Sequence, residues 1–276
     1  MKVKKRIICS ILIILVIITG VIIYRHIGPG AREKKAAESF VINLIENDII
    51  NLKEEGNKKY TSIKKSDPLK KEEYYNVTVG DYAIDVDAKY NVIGFTNQSA
   101  KDLNIAISKE EAVDIGKSYL EKIYTGDYKF KEVLKEEEIQ VVPYYTLIFT
   151  KYKAGYPYYN CNLSLKINKQ TGKLDGYSNA SIGREAEEVL INISEEEAKN
   201  IAKQSFSLMN TFEEVEGDIE KAYVESQENS KIELCYIIII KGRDEENKEV
   251  KMQYCISTDS GEIVYSEKSN ITSTIS

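Results

Sequence analysis

His26 is the only histidine of the 276 residues and follows an apolar run near the N-terminus, so the body of the chain has no imidazole. That removes Ser-His and Cys-His nucleophile pairs and every zinc site that needs histidine. Neither a Gly-x-Gly-x-x-Gly nor a phosphate-loop pattern occurs. Carboxylates, tyrosines and lysines remain. Glu136, Glu137 and Glu138 are of the residue type a glycosidase uses, two carboxyl groups about 5–9.5 Å apart, but their clustering in a polar run fits a solvated segment. Ser108 with Glu111, and Ser194 with Glu197, are hydroxyl–carboxylate pairs just ahead of apolar periodic stretches. That spacing is a capping box, in which the two side chains bond each other's backbone N–H groups at a helix start. The expectation is therefore no catalytic residue, no metal and no cofactor.

Tyrosine and cysteine are the other reactive types. The chain has 20 tyrosines and no tryptophan. Tyr152, Tyr156, Tyr158 and Tyr159 crowd a turn beside Pro157. Tyrosine suits half-buried sheet faces, and the same residues at a turn suit an exposed contact surface for a partner. Beyond Cys9 in the apolar run, the cysteines are Cys161, Cys235 and Cys255. A hairpin with its tip near Glu245 sets Cys235 directly opposite Cys255, where facing Cβ atoms about 4.5–5.5 Å apart lie within modest adjustment of a disulfide. Two small apolar side chains on one strand face are the alternative.

The elements that must position these residues come in copies. Ile107–Lys117 returns 86 residues later as Ile193–Lys203, with seven of eleven positions identical. Each copy opens a capped helix, in which Ala112, Ile115, Tyr119 and Leu120, or Ala198, Ile201, Ala202 and Phe206, recur at helical spacing. Short extended segments around Val133 and Tyr223 follow, and then strands. In the first copy these run over 144–152, 158–167 and 173–177, with turns at 153–157 and 168–172; in the second they run over 233–241, 248–256 and 262–265. A third, degenerate copy is legible in a helix from Glu33 to about Leu52 and strands over 75–79, 82–86 and 91–95, without the capping sequence. The fold class expected is α+β: an N-terminal transmembrane helix, then two or three repeats of one helix packed on an antiparallel β-meander. One sheet face lies under the helix and the other stays half solvated.

Lys2, Lys4, Lys5 and Arg6 precede an apolar run from Ile7 to Tyr24. Its 18 residues make about 27 Å of helix, close to a bilayer core of about 30 Å. A cleaved signal peptide has a shorter apolar region, about 7–15 residues, and a small-x-small site that Gly28–Ala31 matches poorly. The partition expected is a basic cytoplasmic tail over 1–6, a transmembrane anchor over 7–27, and repeats over 33–99, 105–181 and 190–267, in the cell membrane as a single pass with the body extracytoplasmic. Residues 1–35 hold eight Lys/Arg and one acid, which leaves 30 Lys/Arg against 43 Asp/Glu, a net of about −13, on the body. Such a charge argues against nucleic acid as partner.

The Ile-Ser-x-Glu-Glu-Ala-x-x-Ile helix opening, with the strands and the Thr/Ser-Gly-x-Leu/Ile turn at Thr171–Leu174 and Ser260–Ile263, resembles the PepSY domain family. The resemblance covers about 105–180 and 190–267, with a looser echo at 33–97. It implies a small α+β unit of Gram-positive envelope proteins, anchored or secreted, that regulates a peptidase or holds another envelope protein, and it implies no catalytic residue. The expected function is non-enzymatic: binding or regulation in trans of an extracytoplasmic protein, a peptidase or wall hydrolase. The alternative is a scaffold or sensor of the envelope or spore that positions a partner enzyme or binds wall fragments.

Overall fold

The computed structural model describes residues 30–51, 60–67, 72–135, 141–179, 186, 188–226 and 231–268. The tail and anchor expected over 1–27, and the acidic run Glu136–Glu138, lie outside them. No helix among the described residues is long and apolar enough to cross a membrane. The described chain is mixed α+β with three helices: α1 Ala31–Glu46, α2 Lys109–Ile123 and α3 Glu195–Phe206. The strands are β1 Tyr60–Asp67, β2 Glu72–Val79, β3 Tyr82–Asp87, β4 Val92–Asn97, β5 Asp127–Val133 and β6 Tyr144–Lys153, then β7 Tyr156–Asn168, β8 Leu174–Ser178, β9 Thr211–Glu225, β10 Ile232–Arg243, β11 Glu249–Ser257 and β12 Ile263–Lys268. The described residues fall into two compact units assembled from interleaved pieces of chain: those within 1–124, 132–148 and 164–183 in one, and those within 125–131, 149–163 and 184–276 in the other.

In the first unit, α1 starts at Gly30 with no side-chain cap, in keeping with the missing capping sequence. It ends at Glu46 rather than near Leu52. Asp48 takes the left-handed conformation (φ 56°), Asp48 N–H donates to Ile45 O and Ile49 N–H to Leu44 O. This Schellman motif satisfies the last carbonyls and turns Ile49 and Ile50 into the core. The helix buries Ala37, Val41 and Leu44, and Phe40 meets the rings of Phe95 and Tyr177 at 6.0 and 6.2 Å. β1 to β4 pair in sequence as antiparallel neighbours. β4 then pairs with β8, Phe95 opposite Tyr177, and β8 with the end of β7, Leu165 opposite Tyr177. α2 lies close on its strands because Gly116 has no side chain: a Cβ there would stand 2.2 Å from Leu147 Cδ1.

The second unit is built on the antiparallel run β9–β10–β11–β12. α3 covers one face: Ala198, Ala202 and Phe206 pack with Tyr236, Ile238, Ile240, Tyr254 and Ile256. The other face is buried as well. Ala222, Val224, Cys235, Ile237 and Cys255 form a second cluster, closed by Tyr159, Val264 and Tyr265. The half-solvated face expected from a simple meander is therefore corrected. The near-continuous apolar run 234–240 of β10 is the pattern of a strand covered on both sides.

Candidate functional site

The capping boxes form as the sequence predicts. Glu111 N–H donates to Ser108 Oγ (3.1 Å) and Ser108 N–H to Glu111 Oε2 (2.7 Å); the same pair of bonds joins Ser194 and Glu197 at 3.2 and 2.8 Å. These hydrogen bonds hold both carboxyls below the usual carboxylate value, so their chemistry is absorbed by the helix starts.

The second unit places the four tyrosines singled out above. Tyr156 and Tyr158 pack on Tyr223, with ring centroids 6.5 and 5.1 Å apart. Tyr159 donates to Glu267 Oε1 (3.0 Å) and accepts from Gln253 Nε2 (2.6 Å). Tyr152 carries Lys129 Nζ 4.4 Å from its ring centre. All four are half-buried. Cys235 faces Ser257 and Cys255 faces Ile237 across β10 and β11, so the two are diagonal neighbours and stand as free thiols. Diagonal positions are about 7–8 Å apart, beyond disulfide reach. The facing arrangement expected from a tip at Glu245 is corrected. The tip is set one residue later by Asp244, whose carboxylate accepts the N–H groups of Glu246 (2.9 Å) and Lys248 (2.8 Å), with Asn247 left-handed at φ 61°.

The duplicated turn provides an internal comparison. Gly172 N–H donates to Asn168 O and Gly261 N–H to Ser257 O; Asn168 N–H donates to Lys173 O and Ser257 N–H to Glu262 O. Lys169 O accepts from Ala106 and Ile107, and Thr258 O from Asn192 and Ile193. Tyr145 reaches Ile107 O as Tyr236 reaches Ile193 O. Both glycines have positive φ, 70° and 77°, and both lie against an isoleucine, Ile115 or Ile201. What the copies share is the scaffold.

They differ three residues past the glycine, where the second copy has Val264 and the first has Asp175. Asp175 is 3% exposed. Its Oδ2 accepts from Asn168 Nδ2 (2.8 Å) and its Oδ1 from Asn97 Nδ2 (3.1 Å), while Lys101 Nζ stands 3.9 Å from Oδ1. Lys101 also donates to Asn97 O (2.6 Å), and Ser99 Oγ to Asn97 Oδ1 (2.5 Å), so the connection leaving β4 is tied over the carboxylate. Burial pushes the Asp175 carboxyl above its ordinary value, opposed by the bonds from Asn168 and Asn97 and by the charge of Lys101. The carboxylate lines a cavity of about 190 Å³ together with Tyr82, Ser99, Gln170 and Lys173. Lys173 is held at the mouth by Asp48, bonding its carbonyl and its carboxylate at 2.6 Å each.

Sequence reasoning missed Asp175, although the copies laid side by side show a charge on one strand where its counterpart carries valine. The surroundings fit a binding site: a fixed acceptor with amide, hydroxyl and ammonium groups around it. No group of three or more His, Cys, Asp and Glu suited to a metal is found among the described residues.

No family model matches the chain, and no curated protein does. Four chains of solved structures match it. One similar structure is the Bacillus megaterium YpeB C-terminal domain, at 17% sequence identity and a TM-score of 0.45, covering 86% of this chain and 96% of that one.

Proposed function

We propose that this chain is a non-enzymatic, membrane-anchored extracytoplasmic protein of PepSY-like repeats that binds another envelope or secreted protein in trans and regulates it. A peptidase or wall hydrolase is the class of partner the resemblance implies. The observation that carries the reading is the duplication itself: two helix-and-turn devices matched bond for bond, with their hydroxyl–carboxylate pairs engaged in capping. Repeated small units on an anchor suit a scaffold for partners. An extended segment of a partner can add to an unpaired strand edge, and β12 ends the strand order of the second unit.

The test is capture on the full chain in mild detergent, from envelope extract and culture supernatant, with peptidase and wall-hydrolase assays of what is retained. Retention of a peptidase or hydrolase whose turnover slows on the chain is the expected outcome. Retention with unchanged turnover selects the scaffold, and an empty capture rejects protein binding. A second reading, a sensor of wall fragments, is favoured by one observation, the polar cavity around Asp175, a residue whose counterpart in the second copy is Val264.

A further inference from the structure

The geometry points to the Asp175 cavity as a binding site for an uncharged, hydroxyl- and amide-bearing ligand the size of one sugar ring, a deepening that rests on the wall-fragment reading. Charge is the first argument. Lys101, Lys173 and the nearby Lys166 are balanced by Asp102, Asp175 and the Asp48 carboxylate on Lys173, so neither a phosphate nor a bare cation finds a net field of the opposite sign.

Hydrogen-bonding capacity is the second. An ionised carboxylate offers about four acceptor sites, and among the described residues each Asp175 oxygen takes one side-chain amide, Oδ2 from Asn168 and Oδ1 from Asn97, with Lys101 Nζ 3.9 Å from Oδ1. Both oxygens keep room for a further donor, which a ligand hydroxyl or amide N–H supplies. Exposed Asn51 and Gln170 line the same cavity, and amide side chains carry both donors and acceptors, as a sugar hydroxyl or acetamido group requires. Size is the third argument: at about 190 Å³ the cavity is smaller than the clefts of about 300–1,000 Å³ that hold drug-sized ligands, which suits a small polar molecule and not a folded peptide. With Val264 at the corresponding position, the second copy lacks this acceptor.

The test is saturation-transfer NMR on the full chain in detergent micelles, with N-acetylglucosamine as probe and a soluble wall-glycan fragment as a second arm. Inorganic phosphate and magnesium serve as competitors. Transfer to the N-acetylglucosamine ring is expected, weakened about tenfold by Asp175→Asn, which removes the charged acceptor, and weakened by Gln170→Ala, an exposed position. Gln170→Ala keeps the test decisive if Asp175→Asn does not fold. Stronger transfer to the glycan identifies the wall polymer as the source, and equal transfer a free sugar.

Absent transfer to both probes, transfer unchanged by Gln170→Ala, or displacement by phosphate or magnesium overturns the inference. The capture experiment on the same preparation separates the two failures. Intact partner capture without sugar binding rejects this site alone, whereas loss of both rejects the binding-protein reading with it.

Discussion

Burial makes Asp175 hold its proton more tightly in the native state than in the unfolded chain, where its ordinary value is 3.8. Between those two values the folded form carries a proton the unfolded form has released, so the contribution to stability is complete below 3.8 and is lost as pH rises through the folded value. The expected outcome is that wild type loses stability relative to Asp175→Asn as pH is raised from the acid side. Urea midpoints of the two proteins across the carboxylate range measure it, and parallel curves would contradict it. Tyr223 is a different buried polar group: 1% exposed, its hydroxyl has no hydrogen-bond partner among the described residues. Removing an unsatisfied buried group recovers its desolvation cost, so Tyr223→Phe is expected to leave stability unchanged or raise it by about 1 kcal/mol. A loss above 1 kcal/mol in urea unfolding would show that the hydroxyl is satisfied after all.

At the scale of elements, the helix starts and the Gly turns were legible because each is a local device with a fixed spacing. Gly172 is the sharpest case. Its φ of 70° is strained for any side chain, and an added Cβ would meet Ile115 Cδ1 at 3.2 Å. Gly172→Ala is expected to destabilise the first unit by about 1–2 kcal/mol, read as a lowered denaturation midpoint. Where long-range pairing decides, the sequence signal fails. β9 runs for 15 residues, yet its acidic side chains and the break in alternation at Gly217 (φ 72°) disguise all but the segment around Tyr223. Its register against β10 shifts twice. The Cys235–Cys255 register turned on one Asp side chain at a hairpin tip, which strand periodicity does not report. Asp175 was hidden for a related reason, since its importance lies in Asn97 and Lys101 arriving from 74 or more residues upstream.

At the scale of the molecule, each compact unit takes in chain from more than one repeat. The second cluster of the later unit, with Cys235, Ile237 and Cys255, is closed by Tyr159 from β7. Burial holds the Cys235 thiol well above its ordinary value and pushes Cys255 up to about 12, which suppresses the reactive thiolate. Of Cys161, Cys235 and Cys255, a maleimide probe on the intact chain is expected to modify half-buried Cys161 first and the other two only on unfolding. In a fragment of residues 190–276, lacking β7, both are expected to react rapidly under native conditions; protection equal to that of the full chain would show that the repeat folds without β7. The parallel pairing of Tyr158 with Tyr223 also imposes an order in time. At about 5–20 residues per second, the ribosome delivers Tyr223 several seconds after Tyr158. During that interval the tyrosine-rich strand has no β9 to lean on, so the face that Tyr223 covers in the finished fold stays open until β9 emerges.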